Sequence, residues 1–516
     1  MYDGWYDLSV TAKKSTSSLG FTIYGSSLKE KDVIVIKNIK INGKKISFST
    51  DDWSEWEQPK LSFSLTNDPS SSPSPSNTKP SSSSNVSESS TTIKNIGMIN
   101  AGPGTDCSKE MTIAWHSPYL NNYVEYTVAS DSNFRNSKRV DVTCSFIDSD
   151  REFINDKLKP VEFYACKAYL TDLSSNTDYI YRVGNEYNGN SSSKKFKTAA
   201  GGKNNFSFAW LADVHTVNDS AQYRENIKSL INTMGNINFV MFSGDITKIG
   251  NMYDQWGYFA GNPSVSNYMF ATIAGNHDYY KTTDGKNKLA VGKCKYYSNK
   301  WYLDYAAIPI SSTYRDSNYW FIYNNVLFFN IDSTQNDDVN EKDVKVDVDD
   351  QIKWFKNVVK SLKGKYDYII VQQHFSYIID TTVKYGKFKK WSPVFREFKV
   401  DLALGADTHT YSRSAPLYYT GNKSKPKYIS KSNVQMSSSE GTVYMTSYQL
   451  DGLDDHGKLY LAKKVVNNAS LFKNDSFSAG GGNGGCKIDV TSEGIKLVLY
   501  TGNGKSDSVF ISKKSR

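Results

Sequence analysis

The chain has 516 residues, with 62 Lys and Arg against 53 Asp and Glu, a net charge of +9. Its aromatic content of 14% is too high for a disordered chain, and no apolar run approaches the ~18 residues of a membrane helix. The basic residues are scattered (Lys13-Lys14, Lys389-Lys390, Lys463-Lys464, Lys513-Lys514) rather than gathered into the stripe of a nucleic-acid binder.

Residues 1–65 read as a small β module. FTIYG, DVIVIKNIKI and KISFS are β-branched or aromatic runs, and Asn42-Gly43 is a hairpin signal. Trp5, Trp53 and Trp56 offer a docking face for a surface or glycan partner, although aromatics of this size more commonly fill a small core. The start, MYDGWYDLSV, lacks the basic and apolar stretches of a signal peptide. Residues 66–92, TNDPSSSPSPSNTKPSSSSNVSESSTT, hold too little apolar surface to offset the entropy of ordering and read as a linker. Residues 93–199 return to strands at short spacing (MTIAWHS, VEYTVAS, KRVDVTC, VEFYACKAYLTDL, YIYRVG, SSKKFKT), the rhythm of a β-sandwich. His116 falls inside one of these runs and reads as structural. Cys107, Cys144, Cys166, Cys294 and Cys486 form an odd set with no C-x-x-C, which excludes a zinc ribbon or a dense disulfide scaffold. One disulfide among the first three and buried unpaired thiols both remain open.

From residue 200 to 516 short apolar strands alternate with helical patterns, the signature of an α/β sheet. FSFAWLADVH, FVMFSGD, YMFATIAGNHD, YDYIIVQQHFS and VDLALGADTH are successive strands with their downstream residues. Ligands of α/β sheets bind beyond the carboxyl ends of strands. Here those ends carry Asp213 and His215, Asp245, Asn276 with His277 and Asp278, His374, and Asp407 with His409. The chain has six histidines, and four of them stand at these ends. Carboxylates, an amide and imidazoles without thiolate suit Fe, Mn, Zn or Mg. There are too many for one tetrahedral ion, and a shared Asp can bridge two ions ~3.5–4 Å apart.

D-x-H, G-D, G-N-H-D, a lone His after an apolar strand and a terminal x-H-x-Y resemble the calcineurin-like metallophosphoesterases. YDQWGYF, NYWFIYNNVLFFNIDS, QIKWFKNVV, VDLALGADTHTYSRSAP and GTVYMTS further resemble purple acid phosphatases in content and order. LTDLSSNTDYIYRVGN resembles the corner of fibronectin type III-like domains, which precede the catalytic domain in such enzymes. The resemblance covers about residues 93–516. It implies an αββα catalytic fold, a β-sandwich flanked by helices, behind all-β domains. Carried over by position, one metal takes Asp213, His215, bridging Asp245 and His409. The second takes Asp245, Asn276, His374 and Asp407. Asn276 and His277 contact the substrate, with His277 as general acid for the leaving alkoxide and Asp278 orienting it. The nucleophile is a metal-bound hydroxide attacking a phosphomonoester in line.

Three departures from the purple pattern stand out. His215 and Lys248 occupy the positions of a Gly and a ligand Tyr, so no tyrosinate-to-iron colour is expected. Asp407 replaces a His, which either hardens the second site towards Mn, Mg or ferrous iron or leaves that site half-broken. No His follows His374 to bind phosphate, and Lys384 is the candidate cation there. His456 stands in a loop-like stretch, and Tyr411 and Arg413 read as structural. A phosphodiesterase acting on nucleotides or lipid head groups would use the same ligands. A surface adhesion or binding protein with a vestigial phosphatase domain is the alternative from another class. The linker, the fibronectin-like segment and several N-x-S/T sequons fit a secreted or cell-surface protein.

Overall fold

The computed structural model describes residues 91–147, 159–219, 221–282, 297–336, 339, 344–377, 385–409, 411–421, 434–447, 449–450, 472–474, 483–501 and 504–516, with the backbone of 40–41 and 44–45. The chain divides into two compact units, Met1–Asn85 and Val86–Arg516. In the first, Lys40–Ile41 pairs antiparallel with Lys44–Lys45 on either side of the Asn42-Gly43 turn signal. The rest of the expected module, with its three tryptophans, and the linker up to residue 90 lie outside the described residues.

The second unit begins with two antiparallel sheets. Gly97–Pro103, Met111–Ser117 and Val161–Leu170 pair in one, with Ser145–Ile147 on its edge. Asn121–Val128, Lys138–Thr143, Asp178–Asn185 and Lys194–Lys197 make the other. Trp115, Phe163, Tyr126, Tyr181 and Phe196 are buried in the same core. Cys144 and Cys166 form a disulfide, whereas Cys107 and Cys486 are buried free thiols, which settles the open pairing for these four. His116 is structural, as expected. Its ring stacks on Phe163 and its Nε2 lies 3.0 Å from the Asp304 carbonyl.

The α/β part follows as β1 (Phe206–Leu211), α1 (Ala221–Met234), β2 (Phe239–Phe242), α2 (Tyr253–Ala260), β3 (Met269–Thr272), β4 (Asn318–Tyr323), β5 (Val326–Ile331), α3 (Val348–Ser361), β6 (Tyr368–Phe375), α4 (Tyr385–Glu397), β7 (Leu402–Ala406) and β8 (Val443–Thr446). The C-terminal strands are β9 (Gly484–Val490), β10 (Gly494–Thr501) and β11 (Gly504–Ser512). In one sheet β1, β2 and β3 are parallel, and β9, β10 and β11 extend it antiparallel beyond β1. The other sheet runs β4-β5-β6-β7-β8 and is parallel from β5 onward.

β5 shows how the layers form. Phe328 meets Phe208 and Phe239 of the opposite sheet with ring centroids 5.5 and 5.6 Å away. Its neighbours Leu327 and Phe329 turn outward into the core shared with Phe355, Trp391 and Phe395 of α3 and α4. A strand with apolar residues on both faces belongs between a sheet and a helical layer. Helix α3 starts where the Asp347 carboxylate accepts the Asp349 N–H at 2.7 Å, and it buries Gln351, Phe355 and Val359 at helical spacing. The result is the expected αββα arrangement.

The two parts of this unit share a sheet. Met269 of β3 pairs in parallel with Ala101. Beside it, the Asn100 amide donates to the Tyr305 carbonyl at 2.9 Å and accepts from the Ala307 N–H at 3.1 Å. The Cys107 N–H donates to the Ile322 carbonyl at 3.0 Å, and the Ile322 N–H donates to the Thr105 carbonyl at 2.8 Å.

Candidate metal centre

Beyond β1, β2 and β7 the backbone turns sharply. The turn places polar side chains over the sheet ends. Asp213, His215, Asp245, Asp407 and His409 all have positive φ, between 45° and 70°. Asp, Asn and His tolerate this left-handed region better than most residues, yet each such position still costs ~1–3 kcal/mol. Five strained residues at one locus point to a functional centre. Two glycines let the loops touch. A Cβ on Gly275 would stand 2.1 Å from Asp245 Oδ1, and one on Gly244, at φ +91°, would stand 2.6 Å from the Gly275 nitrogen.

Asp213, His215, Asp245 and His409 form one ligand set, each offering an atom within 4.8 Å of the others. Asp213 and Asp245 are fully buried. Burial, reinforced by the neighbouring carboxylates of Asp245 and Asp407, holds Asp213 well above the usual carboxylate range. Burial would raise Asp245 too, but His374 and His277, with hydrogen bonds from His215 and His374, pull it well below that range. Asp245 spends both oxygens. Oδ2 lies 3.0 Å from His215 Nε2, and Oδ1 accepts the His277 backbone N–H at 2.9 Å.

The second set gathers around His374 Nε2. Asn276 Oδ1 lies 2.9 Å away, Asp245 Oδ2 3.3 Å and Asp407 Oδ1 3.8 Å. The Nδ1–H of His374 donates to the Ser243 carbonyl at 2.7 Å, which fixes the tautomer and turns Nε2 towards the oxygens. Burial disfavours the charged ring, yet Asp245, with help from Asp213 and Asp407, lifts His374 to about 9. Oxygens from three strand ends thus converge where they demand positive charge. The donor chemistry fits two hard or borderline cations sharing Asp245.

His277 stands at the edge of both sets, its ring centroid 4.6 Å from that of His215. Its Nδ1–H donates to the Lys248 carbonyl at 2.9 Å, so Nε2 is the atom left to exchange a proton. Burial pushes its imidazole down to about 3. The expected orienting role of Asp278 is not what the structure shows. The Asp278 carboxylate is turned away and accepts the N–H groups of Thr247 at 2.9 Å, Gly275 at 2.9 Å and Ile246 at 3.3 Å, with the Thr247 hydroxyl at 3.0 Å. Backbone N–H groups at the two loop roots outbid the imidazole for it. Asp278 therefore clips the Asp245 loop to the Asn276 loop, and the Lys248 carbonyl orients His277.

Behind this clip Asp332, at the end of β5, accepts the Tyr279 and Ser317 hydroxyls, both at 2.6 Å. The sequence gives no periodic or motif signal for the Ser243 carbonyl, the Lys248 carbonyl or Asp332, since each acts through a non-local contact. Tyr411 and Arg413 are structural, as expected. Both bind Asp507 of β11, at 2.8 Å each. Lys384 and His456 lie outside the described residues.

Residues 206–411 match the calcineurin-like phosphoesterase family, and residues 98–198 match the purple acid phosphatase N-terminal domain. Two uncharacterized proteins of Mycobacterium tuberculosis are 23% identical over 352 residues, which is 62% of this chain and 63% of theirs. The chain thus spans less than two thirds of the length of these curated relatives. Among solved structures, a purple acid phosphatase from yellow lupin (Lupinus luteus) seeds overlays with a TM-score of 0.57 at 16% identity, covering 82% of this chain and 75% of that one. PhoD overlays with a TM-score of 0.52 at 12% identity, covering 81% and 92%. At such identities the overlays speak for the fold alone. With the family matches and the ligand geometry, they establish that the chain carries a calcineurin-like phosphoesterase domain behind a purple acid phosphatase N-terminal domain.

Proposed function

We propose that the protein hydrolyses phosphomonoesters by direct attack of water at a centre holding two metal ions. The observation that carries this reading is the convergence of Asp213, His215, Asp245 and His409 beside His374, Asn276 and Asp407, with His277 at the rim. Bound ions there would supply Lewis acidity to a water molecule and to the phosphoryl oxygens. The chain's own part is positioning and proton transfer. Asp245 holds the two sets in register. Asn276 and His277 face the ester. The Lys248 carbonyl keeps the ordinary proton of His277 on Nδ1, so a second proton on Nε2 is the one passed to the leaving alkoxide. The neutral imidazole of the free protein gains that proton as the phosphate charge arrives, since an adjacent anion favours the charged ring.

The second ligand set has three oxygens and one nitrogen, against two of each in the first. That supports Mn, Mg or ferrous iron in the second position, and metal analysis of Asp407→Ala reads it through the loss of one ion per chain. The Cys144–Cys166 disulfide supports a secreted or cell-surface setting, because such bonds persist in oxidising compartments. The test of the reading is turnover of p-nitrophenyl phosphate and of its bis-ester by protein stripped of metal and reloaded with Mn, Fe, Zn or Mg. Metal-dependent hydrolysis of the monoester supports it. Preference for the bis-ester makes the protein a phosphodiesterase, and hydrolysis of neither leaves a binding protein.

A further inference from the structure

A phosphomonoester dianion brings two negative charges to a centre already built from three carboxylates. We propose that Lys248 receives the non-bridging oxygens of such a dianion and thereby selects monoesters over diesters, an inference that rests on the phosphoesterase reading above. Lys248 lies three residues beyond Asp245. Its backbone is fixed on three sides. The N–H donates to Gln255 Oε1 at 2.9 Å and to the Thr216 carbonyl at 3.2 Å, and the carbonyl accepts His277 Nδ1–H at 2.9 Å. The residue is therefore wedged between the loop of His215 and the loop of His277, the two sides of the proposed substrate position.

Its side chain is half-buried, yet its ammonium has no hydrogen bond or ion pair among the described residues. An ammonium with no counterion among the described residues can take an arriving anion through a charge-assisted hydrogen bond. The contact of its carbonyl with the His277 ring roots the side chain in the same loop cluster as the proposed acid. Two other cations among the described residues near the strand ends are committed. Lys387 donates to the Ser333 carbonyl at 3.0 Å and covers the Phe375 ring at 4.8 Å. Arg413 is tied to Asp507. A diester has one fewer free oxygen and one fewer negative charge, so it gains less from Lys248.

The experiment uses the full chain loaded with metal. Lys248→Gln is expected to lower kcat/KM for p-nitrophenyl phosphate about 10- to 100-fold, the range of one hydrogen bond to a charged group. The bis-ester should change no more than about threefold, because it lacks the second charge that Lys248 meets. Lys248→Arg should restore most of the loss. Calorimetry with inorganic phosphate should show a matching loss of affinity at unchanged metal content. Equal losses on both esters, or unaltered phosphate affinity in Lys248→Gln, overturn the role of Lys248. If the wild type hydrolyses neither ester, the phosphoesterase reading fails by itself, and phosphate affinity still tests Lys248.

Discussion

The middles of the strands and their carboxyl ends obey opposite rules. In the middle, Phe208 and Phe239 of one sheet meet Phe321 and Phe328 of the other edge to face, and each lies in relaxed strand backbone. A few residues further along β1, β2 and β7, the backbone flips to positive φ and the side chains become carboxylates and imidazoles, buried beyond β1 and β2 and half-buried beyond β7. The first region stabilises the fold, at roughly 1.5–3 kcal/mol per buried aromatic side chain. The second strains it, and its arrangement makes sense through what it binds. The lesson is that stability and chemistry are separated along the strand axis rather than between domains.

The sharpest way to break this comparison is Asp213→Asn. It should abolish metal-dependent turnover while raising the melting temperature of the metal-free protein, because burial already disfavours the charged form of Asp213. Metal analysis and calorimetric melting of one sample read both effects; a lower melting point would mean that the strand ends also stabilise the fold. His277→Ala comes next. Losing a general acid should cost ~10²–10⁴ in kcat, with the larger losses on alkyl phosphates. p-Nitrophenyl phosphate, whose leaving group needs little protonation, should lose least, and a uniform loss across leaving groups would deny the acid role. Phe328→Ala tests the other region. A cavity between the sheets should destabilise the protein by ~3–5 kcal/mol in denaturant titration and leave kcat per folded molecule unchanged.

The smallest effect concerns a buried charge with no chemistry attached. Lys167, on the strand Val161–Leu170, is half-buried, and burial pushes its ammonium down to about 8. Below pH 8 both folded and unfolded chains hold the proton, and the folded state carries the full penalty. Between about 8 and 10.5 the folded state gives up its proton first, so stability climbs with pH and then levels off. With the side chain only half-buried, the climb should be about 1 kcal/mol, and Lys167→Met should remove it from a series of denaturation curves.

The strands and the polar residues at their ends were legible because both are local. Five apolar runs, each followed within a few residues by Asp, Asn or His, announce a sheet with a polar edge whatever the tertiary structure. The pairing of Cys144 with Cys166 was not legible, since Cys107 lies in the same segment and only the sheet registers separate them. The role of Asp278 was not legible for a similar reason. Its partners are backbone N–H groups at 246, 247 and 275, and backbone groups leave no mark in a sequence. Lys248 was visible only as a departure from a pattern. Its backbone is held by Thr216, Gln255 and His277, and its ammonium has no partner among the described residues.

The single pairing of Met269 with Ala101 has a mechanical consequence. β3 would otherwise be the raw margin of the sheet that bears Asp213, Asp245 and Asn276, and exposed margins recruit other chains. The strand Gly97–Pro103 acts as an edge guard, bolted down by the two bonds of the Asn100 amide. Residues 98–198 are thus no detachable ornament. A piece beginning near residue 200 would leave that margin open on β3, the strand that leads directly into Asn276 and His277. Aggregation of such a piece and loss of its metal site would be one event.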